Sequence, residues 1–419
     1  MQHIIIGAGP AGVVAAETIR KYDSEASITI IGDEPEPPYS RMAIPYYLIK
    51  NIDESGSYLR DPVNHYRNLN IELVQMRVDQ VDATNKQVKL ADGRVRSYDK
   101  LLVATGSRPV NPPILGLDLP QVHSCWTLKD ARGIAELAQP GANVVLIGAG
   151  FIGCIILEAL VKRGINLSVI ETGNRMVPRM LNEKAGGLLK QWCLDKGIDV
   201  HTSCSVQSVI SAEKGVKVSL SDGDELTAAL VITATGVKSN LEMLEGSGIE
   251  VDQGIVVNNQ MQTSHSDIYA AGDVAQGMDF STGKYEVQAI QPTATDHGRI
   301  AGMNMAGKAT EHHGTVNMNV LDTVGLISCS FGLWMGIEGG EQAELYSPDQ
   351  YQYVNLQFDD HCLIGASCVG KTQHIGVLRG LIESKITLGV WRKRLLGNPN
   401  LIMEAYMACT QELGYNQKL

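Results

Sequence analysis

The chain has 419 residues, 44% of them hydrophobic, with 43 glycines and a formal net charge of −11. That length leaves room for about three domains, and so acidic a balance argues against a nucleic-acid surface. Eight cysteines are scattered with no C-x-x-C pair and no metal-ligand spacing, as expected of a reduced cytoplasmic protein without a metal site.

The first predicted element is a strand, His3–Ile6, which runs through Gly7-Ala8-Gly9-Pro10-Ala11-Gly12 into a helix. The apolar start resembles a signal peptide, but it lacks a basic leader and holds this glycine pattern. In strand–turn–helix context, Gly-x-Gly-x-x-Gly is a dinucleotide fingerprint. The first glycine makes the turn, the second lets backbone amides reach a pyrophosphate, and the third packs helix on strand. The anion then lies on a helix N-terminus. An acid about 20 residues on is expected to hold a ribose hydroxyl. The strand Ser27–Ile31 leads to Asp33 and Glu34; either can serve, with Glu34 preferred.

A hairpin-like stretch with an Asp92-Gly93 turn comes next, then the strand Lys100–Val103 and Ala104-Thr105-Gly106. Pro109, Pro112 and Pro113 punctuate a crossover. The plan then repeats. A strand at Asn143–Ile147 enters Gly148-Ala149-Gly150-Phe151-Ile152-Gly153, and the strand Asn166–Ile170 ends at Glu171. An Asp222-Gly223 turn and the strand Leu230–Thr233 lead to Ala234-Thr235-Gly236. The apolar run Val144–Val161 resembles a membrane span, but three glycines and Glu158 interrupt it, so strand plus helix explains it better. Two fingerprints imply two nucleotides, and with them electrons passing between cofactors. Ile268–Ala275 reads as a buried strand ending in Gly272-Asp273. After about Gly314 the texture changes: Tyr351–Phe358 and Cys362–Val369 alternate around Asp359-Asp360-His361 as a hairpin. His374–Lys385 is helix-like, and Trp391-Arg392-Lys393-Arg394 is basic.

GAGPAG, ATGSRP (Ala104–Pro109), GAGFIG, the second ATG and IYAAGDVA stand in the order found in two-dinucleotide-fold flavoprotein reductases. The chain thus resembles the FAD- and NAD-dependent pyridine nucleotide-disulfide reductase family. PPYSR (Pro37–Arg41) and CWTLKDAR (Cys125–Arg132) are most similar to its ferredoxin and rubredoxin reductase branch. The resemblance implies an α/β fold of two Rossmann-like dinucleotide-binding domains plus a C-terminal α+β domain. Residues 1–110 and 240–313 would form the FAD-binding domain, 111–239 the NAD-binding domain, and 314–419 the interface domain. FAD would rest on Gly7, Gly9, Pro10, Ala11 and Gly12, with Asp33 or Glu34 at the adenosine ribose. Arg41 and Arg132 would lie near the diphosphate, the Val78 backbone at the adenine, and Ala104, Thr105 and Gly106 beside the cofactor. Gly272 and Asp273 would meet the ribityl or phosphate region. NAD(H) falls to Gly148, Gly150, Phe151, Ile152, Gly153, Glu171 and Gly236. Gln291–Gly298 corresponds to a helix aimed at the flavin pyrimidine, without the family's usual aromatic.

Two departures from the family matter. A Lys after the Tyr-x-Arg segment commonly pairs with a Glu beyond the second fingerprint; the corresponding places here are Tyr46 (or Pro45) and Ile155. Both partners are missing together, as the cost of a lone buried charge would require. The disulfide-reducing relatives also need cysteine near the flavin, and none occurs between Asp33 and Lys50, so no thiolate relay can be built there; Cys154 reads as packing. The expectation is an NADH-dependent, FAD-containing oxidoreductase exchanging electrons with a ferredoxin- or rubredoxin-type iron–sulfur protein. The flavin carries the chemistry, so no catalytic side chain is expected. NADH is expected over NADPH because Glu171 repels a 2′-phosphate, with Arg175 softening the effect. One alternative is the FAD/NAD subunit of a larger complex, such as a 2-oxoacid dehydrogenase, feeding electrons from iron–sulfur clusters to NAD. Another is a flavin-binding assembly or sensor protein with little turnover. No membrane span is expected, and a homo-oligomer is compatible with the sequence. Lys385, Arg392, Lys393 and Arg394 are a candidate for steering an acidic partner.

Overall fold

The computed structural model describes residues 1–416, which divide into two compact units. Met1–Val110 joins Val237–Thr315 in the first, and Asn111–Gly236 joins the chain from Val316 onward in the second.

The first unit is built on a five-stranded parallel sheet. Its order is Ile268–Ala270, Lys100–Val103, Gln2–Ile6, Ser27–Gly32, Ile71–Gln75. Runs such as Ile4-Ile5-Ile6 and Leu101-Leu102-Val103 are buried throughout, as strands covered on both faces must be. From the fingerprint strand the chain builds outward on one side and then crosses to the other. That leaves a topological switch point between Gln2–Ile6 and Lys100–Val103, where ligands of open α/β sheets bind at the carboxyl ends.

The helix Pro10–Tyr22 begins with proline, whose missing N–H would be unpaired there anyway. It packs on the helix Gln291–Met305 through small residues. A Cβ on Gly298 would lie 2.3 Å from the Ala11 carbonyl oxygen, and one on Gly302 would lie 2.7 Å from that of Ala15. The segment expected as one strand, Ile268–Ala275, is broken instead. It stops at Ala270, makes a one-turn helix at Gly272–Val274, and resumes as Ala275–Met278. Gly272 takes a left-handed φ of +78°, tucked against Ala11 and Ala294, and the one-turn helix it opens carries Asp273.

The second unit repeats the plan: Asp199–Thr202, Asn166–Glu171, Asn143–Ile147, Leu230–Thr233, Val122–Ser124, all parallel. Each unit also carries a three-stranded antiparallel sheet, Val78–Asp82 to Val95–Ser97 in one and Val206–Ser211 to Glu225–Ala228 in the other. The Asp-Gly turns join two strands of each. The chain beyond Val316 forms a five-stranded antiparallel sheet and the helices Ile375–Ser384, Val390–Gly397 and Ile402–Asn416. The strands Gln352–Phe358 and Leu363–Val369 pair as the expected hairpin. This sheet is fastened to the helix Glu183–Asp195 and its N-cap. Asn182 Nδ2 donates to Tyr353 Oη at 2.5 Å, Trp192 Nε1 donates to the Val324 carbonyl at 3.2 Å, and Lys184 pairs with Glu344.

Candidate functional site

The two fingerprints have matching geometry. Gly7 and Gly148 take φ of +117° and +101°, and a Cβ on either would collide with the strand across the switch point, 2.1 Å from the Ala104 oxygen and 2.5 Å from the Ala234 oxygen. Cβ atoms on Gly12 and Gly153 would lie 2.0 Å and 2.1 Å from the oxygens of Gly7 and Gly148. The middle glycines are different in kind: a Cβ on Gly9 or Gly150 would meet nothing within 4 Å. No protein atom stands against a Cβ at either place. Both residues cap their helices in extended conformation with no side-chain cap bond. The first-turn amides are therefore not claimed by a capping side chain, and the Cβ that is missing would fill the space before them. Those are the features a bound diphosphate needs.

The acids are held differently. Glu34 accepts from Arg41 Nη2 at 2.7 Å and from Tyr39 Oη at 2.5 Å, while Asp33 is exposed. Glu171 is buried, and its Oε2 accepts from the Ala149 amide, inside the second fingerprint, at 2.7 Å. Its Oε1 accepts from the Gly173 amide at 2.7 Å. Arg175 donates to the carbonyls of Leu181 and Pro178, so its guanidinium is engaged with its own loop.

In the first unit a chain of polar contacts links the predicted residues. Arg41 reaches from Glu34 to the Ser107 carbonyl at 3.4 Å, and Ser107 Oγ donates to Asp273 Oδ2 at 2.8 Å. Ser239 Oγ donates to the Asp273 carbonyl at 2.9 Å. Desolvation pushes the Asp273 carboxyl above its usual range, with Ser107 and Arg41 pulling it back. The Ala104 amide bonds to the Ile6 carbonyl at 2.7 Å. Thr105 Oγ1 donates to the Asn240 carbonyl, and Asn240 Nδ2 returns a bond to that of Thr105. Gly106 and Gly236 are both left-handed, at φ +65° and +104°. Val78 opens its strand with a buried side chain. Sequence reasoning passed over Ser107, Ser239 and Asn240, although polar side chains follow both ATG copies. Arg132 sits exposed on the helix Leu128–Leu137 of the second unit, apart in the chain from the other residues expected around FAD.

All eight cysteines are free, and only Cys362 is not buried. Burial raises the Cys154 thiol and pushes that of Cys125 up to about 12, which keeps both protonated and unreactive. Tyr46 is exposed and Ile155 half-buried. In the basic cluster Arg392 pairs with Glu341 and donates to the Asp359 carbonyl at 2.9 Å. Arg394 stacks on Trp391 at 4.5 Å. Among the described residues, His201, Asp222 and Asp224 bring three potential ligand atoms within 4.8 Å of one another at the surface, where His201 pairs with Asp199. No described helix is long and apolar enough to cross a membrane.

Comparison with known proteins fits this geometry. The family model for pyridine nucleotide-disulphide oxidoreductase matches residues 1–298. Subunit epsilon of the NADH-dependent phenylglyoxylate dehydrogenase of Aromatoleum evansii is 32% identical over 98% of this chain and 98% of its own. A ferredoxin reductase for the CYP199A2 system of Rhodopseudomonas palustris is 26% identical at a TM-score of 0.84, covering 92% of this chain and 95% of that one. Putidaredoxin reductase, solved in covalent complex with putidaredoxin, is 25% identical at a TM-score of 0.89 over 98% and 99%.

Proposed function

The chain belongs to the pyridine nucleotide-disulphide oxidoreductase family, and we propose that it is an FAD-containing, NADH-dependent oxidoreductase that exchanges electrons with an iron–sulfur protein. The observation that carries this reading is the pair of middle glycines. Each opens a helix at a place where a Cβ would meet no atom within 4 Å, once in each fingerprint.

FAD fits the first unit and NAD(H) the second. The amides at the start of Pro10–Tyr22 would hold the FAD diphosphate beside Arg41, and Glu34, or the exposed Asp33, the adenosine ribose. Asp273 would hold the ribityl region. Gly148, Gly150 and Gly153, with Phe151, Ile152 and Gly236, would seat the NAD diphosphate, and Glu171 its ribose. The chemistry that flavin supplies when bound is the conversion of a nicotinamide hydride into single electrons for a protein partner. The protein binds, orients and sets the local charge, and no side chain has to move a proton. With no reactive thiol beside either fingerprint, the disulfide chemistry in the family's name has no nucleophile here.

We assign residues 1–110 and 240–313 to FAD, 111–239 to NAD and 314–419 to an interface domain, although the last three residues of that NAD segment, Val237–Ser239, pair with Ser107–Pro109 and lie in the first unit. We place the protein in the cytoplasm, where free thiols stay reduced, and leave a homo-oligomer compatible with it. The test is to purify the protein, identify its flavin, and compare NADH-driven reduction of a ferredoxin with that of a dye. Reduction of both supports the proposal; an apo-protein that takes up no FAD sinks it.

A second reading draws on the full-length match to subunit epsilon of a dehydrogenase. There the chain would be the FAD/NAD subunit of a larger complex. Iron–sulfur subunits that co-purify in fixed ratio favour it.

A further inference from the structure

Two short strands, Ser107–Pro109 and Val237–Ser239, pair as an antiparallel ribbon in the first unit, with Ser107 directly opposite Ser239. Opposed residues of such a pair project to one face. Both serines are buried, and both hydroxyls converge on one residue. Ser107 donates to the Asp273 carboxylate at 2.8 Å, and Ser239 donates to the Asp273 carbonyl at 2.9 Å. Thr105 and Asn240 lock the end of the ribbon by exchanging side-chain-to-carbonyl bonds at 2.9 Å and 2.8 Å.

From this convergence we infer that Ser107 and Ser239 are positioning residues, which fix the carboxylate and main chain of Asp273 for the flavin; the inference rests on the FAD reading above. Asp273 sits on a one-turn helix behind left-handed Gly272. One hydroxyl grips the side chain and the other grips the peptide, so the carboxylate is aimed before any ligand arrives. Among what surrounds Asp273, the Ser107 bond and the charge of Arg41 favour the ionised form against burial. The Ser107 hydroxyl therefore both aims the carboxylate and favours its ionised form.

The test uses full-length apo-protein reconstituted with FAD, with affinity read from quenching of flavin fluorescence and fold from melting of the apo form. Ser107→Ala should weaken FAD binding about tenfold, on the scale of a bond to a charged group, with the apo form still folded and its melting lowered by only a few degrees. Ser107→Cys, which keeps the volume but weakens the donor, should fall between and stands in if the alanine variant does not fold. In an Asp273→Ala background there is no carboxylate left to aim, and Ser107→Ala should cost less than about twofold more. Wild-type affinity in both Ser107 variants, or the full loss repeated without Asp273, overturns the inference alone. Wild-type protein that takes up no FAD overturns the flavin reading along with it.

Discussion

The two nucleotide modules repeat one glycine geometry but restrain their acids in opposite ways. Glu34 is held by side chains, Arg41 and Tyr39. Glu171 is held by backbone amides, one of them from the fingerprint beside it. Side-chain partners can rotate away when a ribose arrives. Amides cannot, so Glu171 stiffens the turn beside it and, on the reading proposed, would meet the ribose from a fixed position. On the reading proposed, the first module would be completed by its nucleotide, as suits a resident cofactor. The second is finished in advance, as suits a ligand that comes and goes.

The largest expected effects come from the glycines that the fold itself requires. Alanine at Gly12 or Gly153 would set a methyl near 2 Å from a carbonyl oxygen, beyond the usual overpacking cost of about 1–3 kcal/mol. Of a total stability of about 5–15 kcal/mol, that is enough to unfold the module concerned. Thermal unfolding with flavin release as a second signal should show Gly12→Ala losing FAD outright.

The middle glycines should separate the two modules cleanly. Gly9→Ala and Gly150→Ala meet no protein atom, so both should fold. The first should lose FAD affinity by at least about tenfold, and the second should keep FAD while its KM for NADH rises by a similar factor, each about 1.4 kcal/mol. Flavin content and NADH kinetics check this, and identical behaviour of the two variants would break the comparison.

Acid should also tell the units apart. His3 and His297 are buried in the first unit; both ring nitrogens of His3 and Nδ1 of His297 find no hydrogen bond, and burial lowers the two rings to about 4 and about 3. The histidines of the second unit all keep some exposure. A lowered folded pKa contributes stability that is complete above the unfolded value of 6.5 and is lost as pH falls towards the folded one. Each proton taken up on unfolding adds a slope of up to about 1.4 kcal/mol per pH unit. The raised carboxyl of Asp273 works the other way at the acid end and offsets part of this. Between pH 6.5 and 4, flavin release should precede loss of the second unit's structure; near-UV dichroism beside flavin fluorescence would show the order.

The smallest effect concerns nucleotide choice. Glu171→Gln removes the charge that repels a 2′-phosphate, and the NADH:NADPH ratio of kcat/KM should fall by about tenfold. Glu34→Gln should leave that ratio alone.

Much of this was legible in the sequence, because glycines and parallel strands leave strong local signs. Both fingerprints, the turn acids, the repeated hairpins and the C-terminal hairpin follow from spacing and alternation. The break after Ala270 did not, since IYAAGDVA reads as one apolar run; the left-handed turn at Gly272 is packed against Ala11 and Ala294, which are distant in the chain. The ribbon serines were equally hidden. Ser107 and Ser239 are 132 positions apart in the chain, and nothing local says that both point at Asp273. Nor does the basic cluster show by its sequence that Arg392 is engaged by Glu341 and the Asp359 carbonyl, which lie 51 and 33 positions away.

The central claim is that one nucleotide site feeds the other. Anaerobic titration of the flavin-loaded protein with NADH tests it most directly, followed by the flavin's visible absorbance and repeated with Gly150→Ala. The account predicts bleaching that is complete at one NADH per flavin in the wild type and shifted to much higher NADH in the variant. A bound flavin that NADH leaves untouched, or bleaching indifferent to Gly150→Ala, would contradict it.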